Sequence, residues 1–114
     1  RAASQPTSQT QGDVIRFKDF SLNPRTRAVE VNSRAVELTA KEFDLLHFLA
    51  AHPGQVFTRE QLMNDVWDYT YAAEASTVTV HVRRLREKIE SDPVRPRFIK
   101  TVWGVGYKYE AGGP

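Results

Sequence analysis

The chain has 114 residues, 40% of them hydrophobic and 26% charged, with no cysteine and a net charge of +2. That suits one small globular domain, excludes disulfides and thiolate metal sites, and leaves no apolar run long enough to span a bilayer. The charge is uneven: residues 1–38 hold six basic and four acidic groups, residues 39–75 two and six, and residues 76–114 eight and four, an asymmetry expected of a nucleic-acid binder with a separate protein-facing surface.

The chain opens on Arg1 rather than Met, without a signal pattern, which points to a processed chain or an excised domain. Residues 1–13 are rich in Gln, Ser and Thr and lack aromatic residues. They cannot bury enough surface to offset their ordering entropy and read as a flexible interdomain linker. From Val14 to Leu38, the pieces VIRF, FSL, AVEV and AVEL are β-like, with turn signals at Asn23-Pro24 and Asn32-Ser33. Three or four short antiparallel strands fit, and such a sheet needs helices packed on one face.

Thr39-Ala40-Lys41-Glu42 has the capping-box form. Phe43, Leu46 and Leu49 follow at helical spacing, widened by Leu45 and Phe48, and Pro53-Gly54 ends the helix. Thr58-Arg59-Glu60-Gln61 repeats the capping box, and the predicted second helix runs to about Trp67 with Leu62 and Val66 inward. Asp68–Ala75 has no clear period and reads as a loop. The third predicted helix is Ser76–Glu90, stopped by Asp92-Pro93. Val78, Val82, Leu85 and Ile89 fall on one narrow stripe, which must be buried. Roughly opposite lie Ser76, Thr79, Val80, Arg83 and Arg84, a set matching what a major groove offers: phosphates, guanine O6 and N7, and thymine methyls. Phe98–Val102 then alternates like a strand, Trp103-Gly104-Val105-Gly106 forms a tight turn in which glycines permit positive φ, and Tyr107-Lys108-Tyr109 returns. Helix, short helix, loop, long helix and hairpin is the order of a helix-turn-helix followed by a wing.

Catalysis finds no support. His47, His52 and His81 lack ligand spacing such as HExxH, and no GxSxG or phosphate-cradling loop is present. No metal or cofactor is expected, and an enzyme is the least supported reading. Arg83, Arg84, Arg86 and Lys88 place four positive charges within six residues, the density that phosphate neutralisation needs. Arg83 and Arg84 are the candidates for reaching a base edge. His81, near the edge of the apolar stripe, either packs its ring or hydrogen-bonds a phosphate.

Residues 77–90, TVTVHVRRLREKIE, followed by FIKTVWGVGYKYE, resemble the OmpR/PhoB family of response-regulator effector domains, as do LTAKEFDLLHFLA and VFTREQLMNDVW. The likeness spans about residues 14–110, nearly all of the chain expected to be ordered. It implies an α+β winged-helix fold with an N-terminal four-stranded antiparallel sheet, a three-helix core and a C-terminal hairpin wing over residues 98–109, with residues 111–114 a frayed tail. It implies a bacterial, cytoplasmic transcription factor governed by an N-terminal receiver domain that a sensor kinase phosphorylates on Asp. By motif position, Arg84 with Thr79 and Val80 would face base edges. Ser76, Thr77, His81, Arg83 and Arg86 would meet the DNA backbone, as would Arg59, the Trp67 indole N–H, Thr101 and Tyr107. The loop Asp68–Ala75, with Asp68, Tyr69, Tyr71 and Glu74, matches a segment that contacts RNA polymerase or is a mere connector. Two departures stand out. Thr79 lies where several relatives carry Asp. At the wing tip, beside Gly104, Trp103 lies where some place a minor-groove Arg, and a Trp cannot supply the cation that a narrow minor groove attracts. Trp103 packs on a sugar or turns inward to seal the hairpin, the inward arrangement being preferred. The expected function is sequence-specific binding of double-stranded DNA, as a monomer in solution and a dimer on tandem half-sites about one helical turn apart. The rival reading is a winged-helix protein-interaction module without specific DNA binding.

Overall fold

The alternation between Val14 and Leu38 is realised as an antiparallel meander of β1 (Ile15–Phe17), β2 (Phe20–Asn23), β3 (Ala28–Val31) and β4 (Arg34–Val36). The structure is a computed structural model and describes residues 14–67 and 76–110. The predicted linker, the loop Asp68–Ala75 and the tail 111–114 lie outside those residues. Phe20 pairs with Val31 and Leu22 with Val29, so these four buried side chains share one face. Asn32 and Ser33 both have positive φ, 53° and 66°, the conformation of a two-residue hairpin turn that matches strand twist.

α1 (Ala40–Ala50) starts in the predicted capping box: the Thr39 N–H donates to Glu42 Oε1 at 2.9 Å, and the Glu42 N–H donates to Thr39 Oγ1 at 3.3 Å. Phe43, Leu45, Leu46 and Leu49 face the core. Arg27 straps the sheet to this helix, donating to Ala40 O and Asp44 Oδ1 while its guanidinium lies 4.3 Å from the Phe43 ring centre. The second helix differs from its prediction. Only Arg59–Leu62 (α2) is α-helical, and Met63–Trp67 widens into a π-helical turn. That turn buries Met63, Val66 and Trp67 together beside Leu62, and Lys41 Nζ donates to its Val66 carbonyl at 3.0 Å. α3 (Ser76–Ile89) buries the predicted Val78, Val82, Leu85 and Ile89.

A second sheet, ordered β5-β7-β6, combines β5 (Phe57–Thr58), β6 (Ile99–Val102) and β7 (Gly106–Tyr109). The two-residue β5 has no sequence signal of its own. It passes so close to the hairpin that a Cβ on Gly106 would lie 1.9 Å from Phe57 O. Gly106 is thus required for backbone approach, whereas Gly104 is required for its φ of +78°. Tyr109 fastens the hairpin base to the first sheet, with ring centres 5.3 Å from Phe17 and 5.5 Å from Phe20. Burial pushes its phenol well above the ordinary range, with nearby Glu90 adding to the shift.

An ion pair with a buried carboxylate and a partly exposed lysine joins α1 to α3. Glu42 is 1% exposed, and Lys88 Nζ donates to its Oε1 at 2.7 Å. Burial raises the carboxyl pKa, but Lys88 and the Thr39 hydrogen bonds more than offset this, and the net result lies below 4.5. A depressed folded-state pKa stabilises the fold above the unfolded value, and the gain is lost as pH falls through the folded value. Glu42→Gln is therefore expected to flatten the pH dependence of urea stability below about pH 4.5, the ordinary carboxylate range. An unchanged acid slope would assign that dependence to other carboxylates. Gly106→Ala is expected to cost more than about 3 kcal/mol, since rigid backbone blocks the added atom. Gly104→Ala, with open space around it, should cost about 1–2 kcal/mol through its φ alone. Denaturant titration of the two variants checks the order.

Candidate nucleic-acid interface

With its apolar stripe buried, α3 leaves Arg83 and Arg84 exposed on the opposite side. Ser76 is also exposed, while Thr77, Thr79, Val80 and His81 are half-buried. His81 sets its ring against Trp67, centre to centre 4.9 Å and nearly perpendicular, and its Nδ1 lies 2.8 Å from Thr77 O. Trp67 itself is only 9% exposed. Ring packing is thus part of the His81 role, and Nδ1 donation to the carbonyl leaves Nε2 as the nitrogen for any other partner.

Two of the four clustered cations turn inward. Lys88 serves Glu42. Arg86 donates to Ile99 O at 3.1 Å through Nε and 3.0 Å through Nη2, and to Thr101 Oγ1 at 2.7 Å. Its guanidinium also lies 5.8 Å from the Tyr107 ring centre. Sequence spacing counts these charges but cannot show where their stems lead. Glu90, just beyond the helix, is 7% exposed. Its carboxylate accepts from the N–H groups of Arg97 at 2.7 Å, Phe98 at 3.0 Å and Ile99 at 3.0 Å. Arg86 and Glu90 thereby lock the end of α3 to the first strand of the wing. Sequence reasoning missed the Glu90 role, whose only signal was an acidic residue ending a basic helix.

The wing turn closes through a Val105 N–H to Val102 O bond of 2.9 Å. Trp103 at its tip is 90% exposed, which corrects the preferred inward packing. The reason is geometric: Phe98, Tyr107 and Tyr109 already close the core beneath the hairpin, and β5 reaches only as far as Gly106. One groove gathers Arg59, Thr79, Arg86, Thr101, Trp103 and Tyr107, with Gly104. It lies between the start of α2, α3 and the wing. Ser76, Thr77, Val80, His81, Arg83 and Arg84 do not line it. A second groove beyond the wing adds Val94, Arg95 and Lys100 and shares Trp103, so Trp103 stands on the ridge between the two. Asp68, Tyr69, Tyr71 and Glu74 fall outside the described residues. Among the described residues no group of three or more His, Asp or Glu could hold a metal ion, and no helix is long and apolar enough to cross a membrane.

The antiparallel N-terminal sheet, helical core and hairpin wing define a winged-helix domain. The chain belongs to the family described as "Transcriptional regulatory protein, C terminal", whose model matches residues 33–109. It is 50% identical over 99 residues to the transcriptional regulatory protein YclJ of Bacillus subtilis (strain 168), covering 86% of this chain and 43% of that protein. The chain thus spans less than half the length of this relative. Among solved structures, it is similar to the Thermotoga maritima response regulator DrrB, an OmpR/PhoB homolog, with a TM-score of 0.79 and 36% identity, covering 85% of this chain and 44% of that one. The DNA-binding domain of Klebsiella pneumoniae RstA, solved in complex with RstA box, matches with a TM-score of 0.79 and 33% identity, covering 86% of this chain and 97% of that one. The OmpR/PhoB resemblance and the winged-helix fold expected from the sequence both hold. The family is one of transcription regulators and is not an enzyme class.

Glu90→Gln replaces one accepting oxygen by a donor that faces backbone N–H groups. It is expected to lower stability by about 2–3 kcal/mol, whereas Ser91→Ala at the exposed neighbour should stay within about 0.5 kcal/mol. Urea unfolding of both variants measures the difference.

Proposed function

We propose that this chain is the sequence-specific, double-stranded DNA-binding domain of a two-component response regulator, with residues 14–110 as the binding unit. The observation that carries this reading is the exposed Arg83–Arg84 face of α3, held at a fixed attitude to the wing by Arg86 and Glu90. α3 enters the major groove, where an arginine fork matches guanine O6 and N7, and the wing rests on the adjacent backbone. Arg84, with Thr79 and Val80, faces base edges. Ser76, Thr77, His81 and Arg83 meet phosphates from α3, while Arg59, Trp67, Thr101 and Tyr107 meet them from the flanking elements. Arg86 acts mainly by positioning Thr101 and the wing. That the similar RstA domain was solved in complex with RstA box supports the DNA-binding reading.

We propose the rest of the regulator by analogy with full-length response regulators of the family. A receiver domain precedes this chain, and its phosphorylation promotes pairing of a free monomer on tandem half-sites about one turn apart. The segment 68–75 meets RNA polymerase, and the whole acts in the cytoplasm without cofactor or catalysis.

Selection from random duplexes, followed by affinity against salt, tests the proposal. A defined motif is expected. Enrichment of nothing, with weak binding that vanishes at moderate salt, would reduce the contact to electrostatics and favour a protein-interaction module. On the selected site, Arg84→Ala is expected to cost about 1–3 kcal/mol and to flatten preference at one base pair. Arg59→Ala should weaken all sequences alike and make the salt slope shallower; a sequence-selective loss would place Arg59 on a base instead.

A further inference from the structure

The Thr79 hydroxyl oxygen is enclosed and has no hydrogen-bond partner among the described residues. A helical threonine ordinarily can return its hydroxyl to a carbonyl one turn back, yet none is bonded here. Thr79 nevertheless remains half-buried rather than buried. With the hydroxyl shut away and the helix backbone hydrogen-bonded, the surface it still shows is chiefly hydrocarbon, Cβ and the γ-methyl. That surface lines the groove between Arg59 and the wing turn, on the side of the domain that the proposed function turns toward DNA.

A major groove presents one apolar group, the C5-methyl of thymine. We infer that Thr79 is a specificity-determining residue that reads a thymine methyl with its own γ-methyl, while its hydroxyl makes no hydrogen bond to DNA. The inference rests on the DNA-binding reading above. It has consequences that a hydroxyl contact would not share. A Ser or Thr hydroxyl both donates and accepts and so tolerates several base edges, whereas a methyl-to-methyl contact selects one pair.

The test uses the 114-residue chain and the duplex motif recovered by selection. Each thymine of the motif is replaced in turn by deoxyuridine, which removes only the methyl. Wild type is expected to lose about three- to five-fold in affinity at one position, the worth of a buried methyl group. Thr79→Val keeps the methyl and removes the hydroxyl; it should bind within about two-fold of wild type and still sense the deoxyuridine. Thr79→Ser keeps the hydroxyl and removes the methyl; it should lose a similar factor and become indifferent to the deoxyuridine at that position. Thermal melting of free Thr79→Val should match or exceed wild type, because the hydroxyl has no partner to lose. A large affinity loss in Thr79→Val with Thr79→Ser near wild type would overturn the inference in favour of a hydroxyl bond. A defined motif in which no thymine methyl couples to Thr79 would overturn it alone. A selection that yields no motif would overturn the DNA-binding reading and this inference with it.

Discussion

The junction between the end of α3 and the first wing strand sets the geometry of the binding face. A carboxylate that accepts three successive backbone N–H groups fixes where a strand begins, since those donors would otherwise be buried unpaired. Glu90 supplies that carboxylate, and Arg86, one helical turn earlier, closes the same junction by donating to Ile99 O and Thr101 Oγ1. One tie uses strand donors and the other uses strand acceptors, so both hydrogen-bonding senses of β6 are engaged by one helix. Displacing the wing relative to α3 would break both at once.

The remaining scaffold supports α3 from behind. The Lys88–Glu42 pair fixes it against α1, and the same Glu42 caps α1 through Thr39. The aromatic contacts of Tyr109 with Phe17 and Phe20 hold the wing base against the N-terminal sheet. Both of these ties end on α3 or on the hairpin that follows it, and the outward side of α3 is left to Arg83 and Arg84. The four-stranded sheet lines none of the two grooves beside the wing; its part in the binding face is to support it.

Much of this was legible in the sequence, and what was not has identifiable physical causes. Period and capping are local, so the α3 stripe, both capping boxes and the Asn32-Ser33 turn could be read directly. β5 could not: two residues carry no periodicity, and the strand exists only because β7 lies beside it. The π-helical turn at Met63–Trp67 was hidden for a similar reason, since Leu62 and Val66 satisfy an ordinary helical pattern and spacing alone does not distinguish the two. Among the candidate DNA contacts, exposure of Arg83 and Arg84 followed from the stripe opposite them. The inward turn of Arg86 and Lys88 did not, because long side chains reach partners that spacing along one helix cannot reveal. Trp103 was misjudged because whether a turn-tip aromatic folds back depends on room in a core that other residues had already filled.

Thr58 belongs to two elements at once. It is the last residue of β5, paired with Gly106 of the wing, and its hydroxyl caps α2 by accepting the Gln61 N–H. Arg59 is the next residue. The start of α2 and the wing are consequently joined by main-chain bonds and behave as one rigid jaw of a caliper, with α3 as the other. The opening between the jaws is set by the Arg86 and Glu90 ties together with the main-chain pairing, all of them behind the outward face. Substitutions among the outward side chains can change what the caliper grips while leaving its gauge unaltered, which makes the domain a scaffold on which recognition can be rewritten without rebuilding the frame.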